Sequence, residues 1–259
     1  MKDYILEVCV DSVESALAAE RGGATRLELC TNLVIGGTTP GYPLFEQVKK
    51  ETGLPVRTLI RPRFGDFLYT QYEHRQMLQD IRHFAQEGAD GVVIGSLNAD
   101  GTLNTEQMQE MMEAAGSCAV TMHRAFDVCA DPFEALKKSA ELGVDTILTS
   151  GQEADCFAGC GLLKKLVQLT DQSRSDSRRV TILAGAGVTS VNIAEIAKKT
   201  GVRAFHMSGK RLLESGMRYR NERVHMGLGS LSEFECYRTD EAEIRRAAEI
   251  LRTLGEDGR

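Results

Sequence analysis

The chain has no uninterrupted apolar run of the roughly 20 residues that a helix needs to cross a bilayer, so no membrane partner is expected. It has no block of lysine or arginine and its net charge is −6, which argues against a general nucleic-acid binder. The opening residues, MKDYILEVCVDSVES, meet acidic side chains at once. They lack the basic start, apolar stretch and small-residue cleavage site of an export signal. No linker rich in proline, glycine or serine divides the 259 residues, so a single domain over 1–259 is expected. There is no Cys-x-x-Cys pair, no His/Cys spacing of a zinc site and no glycine fingerprint of a dinucleotide-binding fold.

What remains is an ordinary globular composition, 42% hydrophobic and 26% charged, with ample material for a core. The cysteines number seven: Cys9, Cys30, Cys118, Cys129, Cys156, Cys160 and Cys236. An odd count without an export signal implies reduced thiols and a cytoplasmic location. Most such thiols are small buried hydrophobes.

Strand and helix patterns alternate from end to end. Strand-like runs occupy 4–10, 25–30, 56–62, 91–97, 119–125, 145–151, 180–185 and 202–208. Helical periodicity fills 13–22, 44–53, 72–88, 105–116, 131–143, 161–170, 189–201 and 240–255. Thr105 is the expected N-cap of the fourth helix, Asp131 with Pro132 opens the fifth, a polar loop covers 171–179, and 209–238 is less regular. Eight such units in about 250 residues predict a parallel (β/α)8 TIM barrel; an open doubly wound sheet is the alternative.

In such a barrel chemistry gathers at the carboxyl ends of the strands. LEVC at 6–9 and LELC at 27–30 repeat one motif on neighbouring strands. Side chains alternate along a strand, so Glu7 and Cys9 share one face, as do Glu28 and Cys30, and Leu6, Val8, Leu27 and Leu29 take the other. The polar set then faces the barrel axis, where buried carboxylates need partners. Arg61, Arg63 and His123 are the expected ones, and the two glutamates are either a structural ion network or part of a site. Two sulfurs on adjacent strands form a soft pair suited to monovalent copper if the strands pair near register; otherwise they are packing residues. ILAGAGV and AFHMSGK place Gly185, Gly187, Ser208 and Gly209, with Lys210, after strands seven and eight, where barrels commonly bind phosphate, unless these are only tight turns.

Other constellations read as packing. Cys156 and Cys160 are four apart, but neighbouring glycines disfavour a regular helix there. Met108, Met111 and Met112 have the spacing of a helix core face. His74 and His83 lie on a helix away from any strand end and are expected to be solvent-facing or partly buried.

Taken together, LEVCVDS, RLELCTNLVIGGTTPG, VRTLIRPRFGDF, GVVIGSLNADGTLN, MHRAFDV, ILTSG, ILAGAGV, AFHMSGK and RNERVHMG resemble the copper homeostasis protein CutC family, in order over about residues 4–229. The resemblance implies a (β/α)8 barrel and cytoplasmic copper handling, with Cu(I) held by Cys9 and Cys30. The other five cysteines lie outside the matching motifs. The residues themselves also allow an enzyme acting on a small anionic or phosphorylated metabolite. Glu7 or Glu28 would then be the base, His123 a general acid, Arg61 or Arg63 the anion clamp, and Asp127 a further acidic group at the mouth. The sequence is compatible with a homodimer, since barrels often pair.

Overall fold

The structure, a computed structural model, describes residues 4–172, 179–221, 223, 224, 226, 229 and 232–257. Most of the polar loop expected at 171–179 lies outside these residues.

The eight expected strands form as β1 (Ile5–Val10), β2 (Arg26–Leu29), β3 (Val56–Leu59), β4 (Gly91–Ile94), β5 (Ala119–Met122), β6 (Thr146–Thr149), β7 (Thr181–Ala184) and β8 (Ala204–Met207). They pair in parallel and in chain order, and β8 closes onto β1. Between and after them run α1 (Val13–Gly22), α2 (Tyr42–Glu51), α3 (Gln71–Gln86), α4 (Thr105–Ala115), α5 (Pro132–Leu142), α6 (Cys160–Gln172), α7 (Ile193–Thr200) and α8 (Glu241–Asp257). The chain is thus a (β/α)8 barrel. The less regular stretch holds a two-stranded antiparallel ribbon, β9 (Lys210–Glu214) with β10 (Glu235–Thr239).

The helix starts follow local hydrogen bonding. Thr70 and Glu73 cap each other's backbone in a reciprocal box at the start of α3. Asp131 accepts from the amides of Phe133 and Glu134, with proline next in the chain. At α4 the cap is Asn104, which accepts from Gln107 N, rather than the expected Thr105. The last expected helix before β8 is shortened to 193–200; Asn192, just before it, makes no cap bond into the helix and its side-chain oxygen accepts from Thr189 N.

Strand alternation divides the apolar residues into two environments. Leu6, Val8, Val10, Leu27 and Leu29 join helix residues such as Phe45 and Ile81 in the main core between strands and helices. Cys30, Leu59 and Val93 form a separate small cluster, and Leu148, Leu183 and Ala204 another. These two lie on the inward faces of the strands, and charged and hydroxyl side chains fill the interior between them. Arg57 spans the floor. It donates to Thr121, to Thr146 Oγ1 at 3.2 Å and to Asp145 Oδ1 at 2.9 Å, tying β3 to β5 and β6.

The outer layer carries most of the apolar burial. Phe45 is 1% exposed and meets the Phe84 ring edge-on at 5.2 Å between centroids. Phe45→Ala should cost about 3–5 kcal/mol through lost burial and the cavity left behind. Urea unfolding checks this: the midpoint should fall with the slope unchanged.

Candidate functional site

The centre of the barrel is built on Glu7. Its side chain has no exposed surface, and both oxygens are engaged: Arg26 Nε donates to Oε2 at 2.5 Å and His206 Nδ1 donates to Oε1 at 2.8 Å. The strand register produces this trio, since Glu7 lies opposite Arg26 on β2 and opposite His206 on β8. Burial alone would raise the Glu7 pKa. Arg26, His206 and Arg57 outweigh it and hold the carboxyl at about 2. Burial also works against charge on His206, but Cys9, Glu28 and Glu7 around it raise its pKa well above the usual histidine range.

Glu28 has a different environment. It is 6% exposed, and its Oε2 finds no partner among the described residues. Burial, with help from the Glu7 charge and against the pull of His206, Arg26 and Arg57, pushes it up to about 7. Two carboxylates from one repeated motif therefore differ in pKa by several units. The difference traces to which strand neighbours face each one.

The repeated motifs are not level with each other. The residue opposite Cys9 is Glu28, so Cys30 stands one inward step nearer the mouth. Cys9 lines the cavity beside His206, whose pKa it helps to raise. Cys30 is fully buried beside Leu59 and Val93, and its thiol donates to Val10 O at 3.6 Å. The two sulfurs are close enough for the Cys9 charge, after burial, to raise the Cys30 pKa well above the usual thiol range. Glu7, Glu28 and His206 each offer a donor atom within 4.8 Å of the others. That oxygen-rich set favours a divalent ion over monovalent copper, and Arg26 already holds part of it.

Above these groups opens a cavity of about 960 Å³ at the carboxyl ends of the strands. Of the residues expected there, Arg61, His123, Asp127, Gly187, Ser208 and Gly209 line it. Their bonding differs from the sequence expectation. Arg61 does not pair with a glutamate; it donates to the carbonyls of Gly36, Gly37 and Gly65. Arg63 points into its own loop, bound to Asp66 and Glu73, and does not line the cavity. Burial and the Arg61 charge lower His123 to about 3, so it is neutral at physiological pH and has no proton to give as an imidazolium. Asp127 is saturated by Thr149 Oγ1, the amides of Ser150 and Gln152, and Arg124, which pins two mouth loops together.

The expected anion seat is partly filled from within. Gly185 belongs to the sheet, donating to Thr149 O, and a side chain there would strike Leu148 at 2.4 Å. Ser190 donates through both N and Oγ to the Glu243 carboxylate of α8, at 2.7 and 2.8 Å. Lys210 and Arg246 line the same rim beside Asp240 and Glu243, so both signs of charge are present.

Two residues central to the site, Arg26 and His206, were absent from the sequence expectation. Both carried a usable signal. Arg26 alternates with Glu28 and Cys30 on one strand, and His206 sits mid-strand on the unit that must close onto β1. The remaining motifs behave as packing: Cys156 is fully buried, and the Cys160 thiol donates to its carbonyl at 3.4 Å. Met108 and Met111 are core. His74 is more enclosed than expected, buried and bonded to Glu110 at 3.0 Å, whereas His83 is exposed.

The CutC family profile matches residues 4–211. A Bacteroides fragilis relative named family protein CutC is 47% identical over 253 residues, covering 97% of this chain and 98% of its own. A human relative named copper homeostasis protein cutC homolog is 40% identical over 252 residues, covering 97% and 90%. A solved CutC structure from Streptococcus agalactiae, 29% identical, superposes with a TM-score of 0.73 over 79% of this chain and 98% of that one.

Glu28 gives a pH prediction with a definite sign. Unfolded, it releases its proton near its usual 4.5; folded, near about 7. Folding takes up a proton between those values, so the carboxyl's cost to stability is absent at low pH, grows as pH rises and is complete above about 7. Glu28→Gln removes that cost. Its stability relative to wild type should rise by roughly 1–3 kcal/mol between pH 5 and pH 8. Urea titrations at both pH values measure this, and a pH-independent difference would contradict it.

Proposed function

The chain belongs to the CutC family, a family of copper homeostasis, and we propose that it is a cytoplasmic protein that takes monovalent copper at the inner end of the barrel cavity. The ligands in this reading are Cys9 and Cys30, with His206 beside Cys9 as a third donor once its Nε2 proton has left. One observation carries it: two reduced thiols from adjacent strands face the same interior, and one of them lines the cavity beside an imidazole. Thiolate and imidazole are the donors that suit Cu(I). Glu7 orients His206 through Nδ1, a carboxylate–histidine arrangement that fixes the ring for a ligand on its far side. His123 and Glu28 complete the surroundings. Copper here is cargo, and the open mouth is its route in and out.

A second reading has its own support. A cavity of about 960 Å³ is far larger than an ion requires, and three buried polar atoms of its lining residues, Glu28 Oε2, Arg61 Nε and His123 Nε2, have no partner among the described residues. Buried polar groups are normally satisfied, so such a set indicates a polar organic ligand. In this reading the barrel is an enzyme or binder for a small anionic metabolite. Glu28, poised near neutrality, is the base, and Arg61 and His123 hold the substrate.

Anaerobic Cu(I) competition titration tests the first reading. Wild type should bind one ion, and Cys9→Ser and Cys30→Ser should each lose at least about tenfold in affinity, with binding tightening as pH rises because the Cys30 proton must leave. Equal affinity in all three proteins would remove copper as the ligand of these thiols. Thermal stabilisation by an organic phosphate or carboxylate, unchanged in both serine variants, would favour the second reading.

A further inference from the structure

His123 and Arg61 stand on different strands yet share one wall of the cavity. Each is more than nine-tenths buried, at 4% and 8% exposure. Both lie against Phe67: the His123 ring at 4.7 Å between centroids, the Arg61 guanidinium carbon at 5.0 Å. β4 runs between β3 and β5 and is followed by a residue with no side chain. A Cβ on Gly95 would fall 2.6 Å from His123 Cε1, so glycine there is what lets the imidazole lie across β4.

The tautomer of His123 follows from its one hydrogen bond. Ala125 N–H donates to Nδ1 at 3.1 Å, and an amide only donates, so Nδ1 carries the lone pair. The ring's proton is then on Nε2. That N–H is buried and has no acceptor among the described residues. Arg61 presents the same situation from the facing strand. Its terminal nitrogens are spent on the carbonyls of Gly36, Gly37 and Gly65, while its Nε–H is buried and unaccepted. A buried donor left unmet is destabilising, and here there are two on one wall.

We propose that His123 Nε2–H and Arg61 Nε–H form a two-donor pocket for an oxygen of a carboxylate or carbonyl group on a small organic ligand. The inference rests on the second reading above and narrows it to a ligand class and a binding mode. One donor is cationic and one neutral, so the pocket tolerates a neutral carbonyl and strengthens as its oxygen gains negative charge. It assigns His123 the part of a fixed donor. A neutral imidazole held in one tautomer cannot drift to the imidazolium at working pH, which keeps the pocket constant. It also puts the ligand's charged end at the carboxyl ends of β3 and β5, away from the part of the rim where Glu243 already satisfies the amide and hydroxyl of Ser190.

The test uses oxalate as probe and the full chain as protein. In long-range proton–nitrogen spectra of the histidine rings, His123 should show the Nε2–H tautomer at pH 7 and keep it at pH 5. Oxalate should move that Nε2–H proton downfield. By calorimetry, His123→Gln, whose amide can replace the Nε2–H donor, should bind oxalate within about threefold of wild type, and His123→Phe should lose about tenfold or more. An Nδ1–H tautomer, no binding of oxalate by wild type, or equal binding by wild type and His123→Phe would each overturn the proposal. Should His123→Phe not fold, the wild-type spectra with and without oxalate decide alone. Finding no turnover of any metabolite would end the enzymatic reading and leave the pocket's oxalate binding intact, so the two failures are separable.

Discussion

Glu7 has no exposed surface in the middle of a barrel, and Arg26 and His206 are what permit it to stay charged there. Isolated burial of a carboxylate would cost several kcal/mol and end in protonation. The three groups come from consecutive positions around the sheet, β8, β1 and β2, at one height in the register. They therefore lock the seam at which the barrel closes. The same trio sets the chemistry of its neighbours. With Arg26 and His206 committed to Glu7, Glu28 keeps an unpaired oxygen and a pKa near neutrality, and His206 is charged beside Cys9.

The fold was legible because each unit repeats one pattern: an apolar run, a turn signal, an amphipathic helix. All eight strands and helices lie where alternation and periodicity place them, with ends shifted by a few residues. The inward face of β1 and β2 was legible for the same reason, since Leu6, Val8, Leu27 and Leu29 had to face the helices. What the sequence hid was register. The LEVC and LELC motifs invite a level pairing of Glu with Glu and Cys with Cys, yet the barrel's stagger sets Cys9 against Glu28. One inward step changes every partner: Glu7 gains an arginine, and Cys30 falls among Leu59 and Val93.

Loops hid the rest. Arg61 and Arg63 read as clamps because arginine at a strand end commonly binds anions. Arg61 instead spends three donor contacts on backbone carbonyls of the β2 and β3 loops, and Arg63 closes a loop onto Glu73. Carbonyl capture leaves no trace in residue types, since every residue has a carbonyl. The ribbon of β9 and β10 was equally quiet: KRLLE and ECYRT are mostly exposed or half-buried, so no alternation marks them as strands. His206 is the instructive omission. Glycine and serine dominate its motif, while its place in the closing strand, level with Glu7, is the stronger signal.

The two functional readings draw on one electrostatic surplus. Arg57 is neutralised by Asp145 on the floor, and Glu7 cancels only one of the two cations it touches. Charge on His206 leans on Cys9 and Glu28 as well as on Glu7, so a proton taken up by Glu28 leaves this end of the cavity more positive. The rim does little to compete for an anion, because Lys210 and Arg246 face Asp240 and Glu243 there. A copper ion held by two thiolates is a singly negative unit, and so is a small monocarboxylate. Either one lowers that positive potential, and a bare cation does not. The surplus therefore favours a ligand that brings net negative charge past the rim, whether the sulfurs supply it around a metal or the ligand carries it on an oxygen. What separates the two is position: the sulfurs lie on β1 and β2, and the unaccepted N–H donors lie across the cavity on the strand ends of β3 and β5.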